Sequence, residues 1–294
     1  MADPHATTFA QARPMLMGLA YRMLGSRADA EDAVQDTFLK WQSADKQAIE
    51  NPPAWLTATC TRRCIDLLRA AHRSRVDYVG AWLPEPVHTS SDTMSEETPE
   101  LASSLTTAFL LMLERLTPKE RAAYLLHEIF DMDYADVATA LGIQEPTCRK
   151  LVSRARTNIE QAKVRYTTPL ERQEELLAAF QAAIASGSTG QLAALLADDI
   201  ELRADGGGKV PAALDALRGK ASVLDFIGTR LRDWWGEYEW TLADLNGSRG
   251  VVLSKRGETV ATLSVAFDEA GQATAIYVVR NPDKLAALGG DAIA

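Results

Sequence analysis

The sequence predicts a multidomain protein in which two all-α domains are followed by a C-terminal α+β domain. Three observations carry that expectation. Apolar residues recur at helical spacing from about residue 7 to residue 163. A segment from 76 to 104, with six acids and no Lys or Arg, divides that stretch in two. From Tyr238 onward the spacing changes to alternation, broken by Asn246-Gly247, Lys255-Arg256-Gly257 and Glu269-Ala270-Gly271 turns, the texture of a curved antiparallel sheet. At 294 residues the chain exceeds one ordinary core and suits domains of about 100 residues each.

The first helical domain spans residues 1–75. Leu16, Leu19, Ala20, Met23 and Leu24 form one stripe that ends at Gly25-Ser26. The next helix turns Ala30, Val34, Phe38 and Trp41 inward and leaves its acids and Gln35 on other faces. After Asn51-Pro52-Pro53, a third helix places Leu56, Cys60, Ile65 and Leu68 inside and Arg62, Arg63, Arg69 and Arg73 outside. Residues 76–104, Pro-, Ser-, Thr- and Glu-rich, read as a linker.

The second helical domain spans residues 105–165. Thr117-Pro118-Lys119-Glu120 is a helix start: Thr117 caps, Pro118 fits the first turn and Glu120 completes a capping box. Asp133 opens a helix with Tyr134, Val137, Ala138 and Leu141 on one stripe, and Gly142 ends it. Pro146 then starts a helix that buries Cys148, Leu151, Val152, Ala155 and Ile159. Arg149, Lys150, Ser153, Arg154 and Arg156 stay outside. Two short helices around a glycine turn, the second one basic, are the pattern of a helix-turn-helix. The α+β domain, residues 170–294, opens with an amphipathic helix from Leu170 to Ser186 and a short one from Gln191 to Leu196. It holds more helix between Val210 and Leu231, and strands at Arg249 to Ser254, Thr259 to Phe267 and Ala273 to Val279.

The net charge of −9 alone argues against nucleic-acid binding, but the charge is not evenly spread. Residues 55–75 hold five arginines against one acid, and residues 144–165 hold six basic residues against two acids. Local charge survives screening only within about 8 to 10 Å, so two basic stripes suggest two separate phosphate contacts. The plainer alternative is two solvated helix faces. Cys60, Cys64 and Cys148 lack a framework or a zinc-site spacing and read as packing residues, with no metal and no cofactor implied. No run of about 18 uncharged apolar residues occurs and the N-terminus has no basic-then-apolar pattern, so the expectation is a cytoplasmic protein without a membrane partner.

AEDAVQDTFLKW, NPPAWLTATCTRRCIDLLR, LTPKERAAYLLHEIFDMDYADVATALGI and PTCRKLVSRAR resemble, in this order, successive landmarks of the extracytoplasmic-function sigma factors. The resemblance covers about residues 7 to 163. It implies that the first domain grips the clamp helices of the beta-prime subunit of core RNA polymerase and captures melted minus-10 DNA, while the helix-turn-helix reads the minus-35 element of promoter DNA. By the same resemblance Asp29, Glu31, Asp32, Gln35 and Asp36 form the polymerase-facing surface. Thr59, Arg62, Arg63, Asp66 and Arg69 belong to minus-10 capture, with the loop from Ser43 to Glu50 closing over the flipped base. Arg62 and Arg63 stand where smaller polar residues are often found. Thr147, Arg149, Lys150, Ser153, Arg154 and Arg156 face the minus-35 element. The free protein is expected to be monomeric.

The C-terminal region resembles the SnoaL-like extension of one sigma-factor subgroup, a cone-shaped α+β fold. Three strings carry this: Trp82-Leu83-Pro84-Glu85-Pro86, Asp205-Gly206-Gly207-Gly208-Lys209 and Asn281-Pro282-Asp283-Lys284-Leu285. In that subgroup the extension regulates in place of a separate anti-sigma protein. Trp82, Pro84, Glu85, Asp205, Gly206, Gly207, Gly208, Lys209, Asn281, Pro282, Asp283 and Lys284 are therefore expected to form one regulatory contact, with Lys209 seeking a carboxylate such as Glu85. The rival reading makes the cone an enzyme or a small-molecule sensor. No His follows His127, which leaves Asp205, Asp225, Tyr238, Asp244 and Tyr277 as candidate acids and bases. A promoter-bound repressor is the other alternative. The acidic second helix and the minus-10 segment speak against it.

Overall fold

The computed structural model describes residues 4–75, 78–89, 101, 103–160 and 168–288. The outward face expected for Arg73, the Ser/Thr/Glu-rich stretch beyond Thr89 and Thr167 lie outside the described residues. The chain divides into two compact units, one of residues 1–77 with 112–162 and one of residues 78–111 with 163–294.

In the first unit, α1 (Pro4–Leu24), α2 (Arg27–Ser43) and α3 (Pro52–Arg75) pack through Leu16, Leu19, Met23, Ala30, Val34, Trp41, Leu56 and Cys60, all buried. Ser26 accepts from the Asp29 amide at 3.3 Å and Asn51 from the Ala54 amide at 3.1 Å, so each helix begins at a side chain able to satisfy an orphan N–H. The loop after α2 folds as a 3₁₀ turn, Lys46–Ala48, capped by Asp45. Helix α4 (Thr107–Leu113) straddles the division between the units. Helix α5 (Pro118–Tyr124) starts with the complete Thr117/Glu120 capping box and runs on as a π turn, Leu125–Ile129. Helices α6 (Tyr134–Leu141) and α7 (Glu145–Glu160) meet at Gly142, whose φ of 62° is a left-handed conformation that most side chains resist. Cys60, Cys64 and Cys148 are all buried thiols. Among the described residues no helix is long and apolar enough to cross a membrane.

The second unit is built on a six-stranded sheet in the order β2-β1-β6-β5-β4-β3. Its helices are α8 (Leu170–Ser186), α9 (Gly190–Leu195), α10 (Lys220–Phe226), α11 (Arg232–Trp235) and α12 (Pro282–Leu285). Its strands are β1 (Leu196–Asp205), β2 (Leu217–Arg218), β3 (Glu239–Leu245), β4 (Ser248–Lys255), β5 (Glu258–Phe267) and β6 (Ala273–Val279). The strands read from Tyr238 onward, β3 to β6, are antiparallel as expected; β1, which the sequence pattern did not reveal, runs parallel to β6, so the whole sheet is mixed. Parallel neighbours need a long crossover, and the helices and meander between β1 and β6 supply it. Alternation in β6 sends Ile276 and Val278 to one core and Ala275, Tyr277 and Val279 to the other. One face is covered by α8 to α11. The other is covered by Leu83 of the linker, Ala108 of α4, and Leu285 and Leu288. The segment 78–89 is accordingly part of the fold, not a loose tether. The Val87 carbonyl accepts from the Asn246 amide at 3.0 Å, and Thr89 donates its amide to the Asp244 carbonyl at 3.0 Å at the end of the edge strand β3.

Candidate functional site

On α2, Asp29, Glu31, Asp32 and Gln35 are exposed, while Ala30, Ala33 and Val34 are buried. Glu31 pairs with Arg27 at 2.9 Å one turn away. Asp32 and Gln35 have no intramolecular polar partner among the described residues. Asp36 differs from the other four. It lies 2.7 Å from Arg63 on α3, so one of the expected polymerase residues neutralises one of the expected strand-capture residues.

Elsewhere on α3, Thr59 is half-buried, and Asp66 and Arg69 form an exposed pair at 3.4 Å. Arg62 is engaged in a way the sequence did not announce. Its Nε donates to the Ala140 carbonyl at 3.1 Å and its Nη2 to the Thr139 carbonyl at 3.4 Å, at the C-terminal end of α6. A guanidinium suits the negative end of a helix. Arg121, 3% exposed, adds a second tie between the halves of this unit. It donates to the Met23 carbonyl at 2.7 Å and to Leu113 at 3.0 Å, and pairs with Glu114 at 2.8 Å.

The basic face of α7 is sorted by its partners. Arg156 reaches back to Glu128 at 2.6 Å. Arg149 pairs with Glu145 at 2.6 Å and lies over the Tyr134 ring at 4.2 Å, which in turn meets His127 at 3.9 Å. Thr147, Lys150, Ser153 and Arg154 are exposed, and Lys150 and Arg154 have no polar partner among the described residues. Arg154→Ala should therefore weaken promoter binding more than Arg156→Ala. If Arg154 anchors a phosphate, the salt slope falls by about one unit for every sequence; if it reads a base, one minus-35 position relaxes by about 1 to 3 kcal/mol. Equal affinity, slope and preference in wild type and Arg154→Ala, measured by fluorescence anisotropy, would remove this residue from the interface.

In the second unit, the three strings meet at one buried carboxylate. Asp205 is 0% exposed. Its Oδ1 accepts from the Tyr78 hydroxyl at 2.5 Å and the Gly207 amide at 3.0 Å; its Oδ2 accepts from the Leu83 amide at 2.9 Å and Lys284 Nζ at 2.7 Å. Lys284 also donates to the Leu83 carbonyl at 2.5 Å, and its ammonium lies 4.4 Å from the Trp82 ring and 5.1 Å from that of Tyr78. Asn281 donates to the Tyr78 hydroxyl at 2.9 Å while its Oδ1 caps α12. The glycines make room for this. A Cβ on Gly207, at φ 59°, would collide with the Asn281 side chain, and one on Gly206 with the Val210 carbonyl.

Pro84 and Glu85 are buried beside this cluster in the linker. Gly208 is exposed, and its Cα approaches Val79 closely enough that a Cβ would stand 3.1 Å from it. Lys209 does not pair with Glu85, as the sequence had suggested; it pairs with Asp283 at 2.5 Å, on the surface, because the turn aims it at the start of α12. Tyr78, which lies in none of the three strings, is the residue that sequence reasoning missed. Burial, and then the hydrogen bond it donates to Asp205, push the Tyr78 phenol well above its ordinary range, while the donation from Asn281 pulls the other way. A phenol held protonated in the fold adds stability below its ordinary pKa of about 10, and that contribution fades as pH rises through the raised folded value. In a spectrophotometric phenolate titration, Tyr78→Phe should leave the amplitude near pH 10 unchanged, whereas a fall of one tyrosine's worth there would place Tyr78 outside the cluster.

Two family models match this chain, Sigma-70 region 2 over residues 8–74 and Sigma-70, region 4 over residues 106–159. The chain is 39% identical to the ECF RNA polymerase sigma factor SigJ of Mycobacterium tuberculosis, over 94% of this chain and 91% of that protein. It is 31% identical to the probable ECF RNA polymerase sigma factor SigI of the same organism, over 98% of each. The crystal structure of Mycobacterium tuberculosis SigJ superposes with a TM-score of 0.73 at 32% identity, covering 97% of this chain and 99% of that one.

Proposed function

The chain belongs to the extracytoplasmic-function sigma factors, which direct promoter-specific initiation of transcription, and on that premise we propose that its C-terminal domain regulates it in cis by clasping the linker. The observation that carries this reading is Asp205. A fully buried carboxylate spends both oxygens on groups that come from the linker, Tyr78 and Leu83, and from the far end of the chain, Lys284. Such a junction is either whole or broken, because a half-satisfied buried charge is worse than none. Residues 78–89 lead out of the minus-10 domain, so holding or releasing them changes where the helix-turn-helix can go.

In this reading Asp29, Glu31, Asp32 and Gln35 meet the clamp helices of the beta-prime subunit, with Asp36 shared with Arg63. Thr59, Arg62, Arg63, Asp66 and Arg69 serve the minus-10 strand, and the exposed face of α7 serves the minus-35 element. The free chain is monomeric. The C-terminal domain works without catalysis, because Asp205, its best-placed acid, has its oxygens occupied by four donors, and a group in that state does not shuttle protons.

Run-off transcription with core polymerase tests the regulatory role. Ending the chain after Thr168 should change promoter output, but truncation also bares Leu83 and Ala108, which are buried against the lost domain. Lys284→Met in the full chain is the cleaner arm. It should shift output in the same direction as truncation. Identical output from all three proteins would refute regulation through the clasp.

A further inference from the structure

Of the apolar stripe on α6, Val137, Ala138 and Leu141 are buried, but Tyr134 is only half-buried and its ring faces a cation. Arg149 Cζ lies 4.2 Å from the centre of that ring, and the ring lies 3.9 Å from His127 at an interplanar angle of 30°. His127, on the π turn, is itself fixed: its Nδ1 donates to the Met132 carbonyl at 2.8 Å and its side chain is only 21% exposed. Such a turn is a distortion frequent at functional sites. Arg149 is held on a second side by Glu145, one helical turn back. Its Nε and Nη2 donate to the same carboxylate oxygen at 3.1 and 2.6 Å. A guanidinium carries five N–H groups in a rigid plane. Glu145 takes the side-on pair and the ring takes the face. The end-on pair, one N–H each from Nη1 and Nη2, has no partner among the described residues, and the side chain is 58% exposed.

We propose that Tyr134 is a positioning residue that sets minus-35 specificity: its ring, backed by His127 and helped by Glu145, holds the Arg149 fork ready for a guanine edge. The inference rests on the reading of α7 as the minus-35 helix. An arginine fork is the group that reads O6 and N7 of guanine in the major groove. Because Glu145 offsets its charge, Arg149 has little to gain from a phosphate, and geometry is what it brings to the groove. A lone surface arginine must be ordered when it binds, a loss worth about two- to tenfold in affinity. The stack and the carboxylate order it beforehand. That advantage is realised only where the fork finds its base, so it appears as discrimination between sequences. A parked arginine, kept from DNA by the same contacts, predicts the reverse, because releasing it would sharpen the preference.

Holoenzyme assembled from core polymerase and the full chain tests this on a promoter selected from a randomised library, each minus-35 base pair then being varied singly in competition binding. Arg149→Ala should relax the preference at one G·C pair. Tyr134→Leu should relax the same pair about two- to tenfold and leave the others as they are. Tyr134→Phe, which keeps the ring face without the hydroxyl, should restore the preference. In an Arg149→Ala background, Tyr134→Leu should have no further effect at that pair. General damage to α6 would instead weaken every sequence alike. Glu145→Gln leaves α6 untouched and should relax the same pair while raising affinity for all sequences, since it removes a negative charge beside the phosphates. Circular dichroism checks that each variant is folded. No relaxation at any pair from Arg149→Ala removes the premise and the proposal together. If Arg149→Ala relaxes a pair that Tyr134→Leu does not, or Tyr134→Phe is as impaired as Tyr134→Leu, the proposal alone falls and α7 remains the minus-35 helix. A sharper preference in Tyr134→Leu overturns it too, in favour of the parked arginine.

Discussion

Replacing Asp205 with alanine should destabilise the second unit by about 3 to 5 kcal/mol, the usual cost of breaking a buried ion pair by removing one partner. Lys284, with a side chain only 13% exposed, is left as a buried ammonium without its carboxylate. The Leu83 amide and the Tyr78 hydroxyl lose their acceptor together, each at about 1 to 3 kcal/mol if water cannot replace it. Asp205→Asn keeps the shape and one acceptor oxygen, so it should cost less than alanine. The double variant Asp205→Ala, Lys284→Met should recover part of the loss, because it removes the orphaned charge with its partner. By contrast, Lys209→Ala breaks an exposed pair and should cost no more than about 1 kcal/mol. Urea unfolding of the five proteins reads these values. An Asp205→Ala loss below that of Lys209→Ala would mean that the carboxylate is not what holds the linker down.

That ordering could not be taken from the sequence, although much of the fold could. Thr117, Pro118 and Glu120 announce the start of α5 because capping is a local bond three residues long. Gly142 announces the helix-turn-helix for the same reason, a local φ. The three strings at 82–86, 205–209 and 281–285 stood out as strings, yet their wiring did not. Tyr78 and Asp205 lie 127 residues apart and Lys284 and Asp205 79 apart, and no periodicity reports a partner at that distance. Lys209 shows the cost of guessing from charge alone, since Asp283 answers it and Glu85 does not. Strand β1 was hidden by Asp198-Asp199. The two acids interrupt the alternation where the β1–β6 register itself shifts, between Leu196 and Glu201. The parallel pairing went unread with it, because β1 is the strand that makes it, while the antiparallel reading of the strands after Tyr238 stands.

The first unit is expected to open when it engages a promoter. In the free chain Arg62 of α3 donates to the last carbonyls of α6 at 3.1 and 3.4 Å, so the expected minus-10 residue and the first helix of the helix-turn-helix touch. The minus-10 and minus-35 elements are separated by about 25 base pairs, which at about 34 Å per turn of about 10 base pairs is about 85 Å along a straight duplex. Side chains in hydrogen-bonding contact cannot serve two sites that far apart. Arg62 cannot both cap α6 and stand beside an unstacked base, so the contact must break before strand capture. Lys40 on α2 and Lys119 on α5 are exposed and lie outside the residues assigned to DNA, and all three native thiols are buried, so cysteines at those two positions accept a donor and an acceptor dye selectively. Energy transfer should be high in the free chain and fall several-fold in the holoenzyme on promoter DNA. Arg62→Ala should lower it in the free chain while weakening capture of a minus-10 single strand, since one side chain serves the closed contact and the open one in turn. Transfer that stays as high on the promoter as in the free chain would mean that both elements are read without opening, and the assignment of α3 and α7 to separate elements would fall with it.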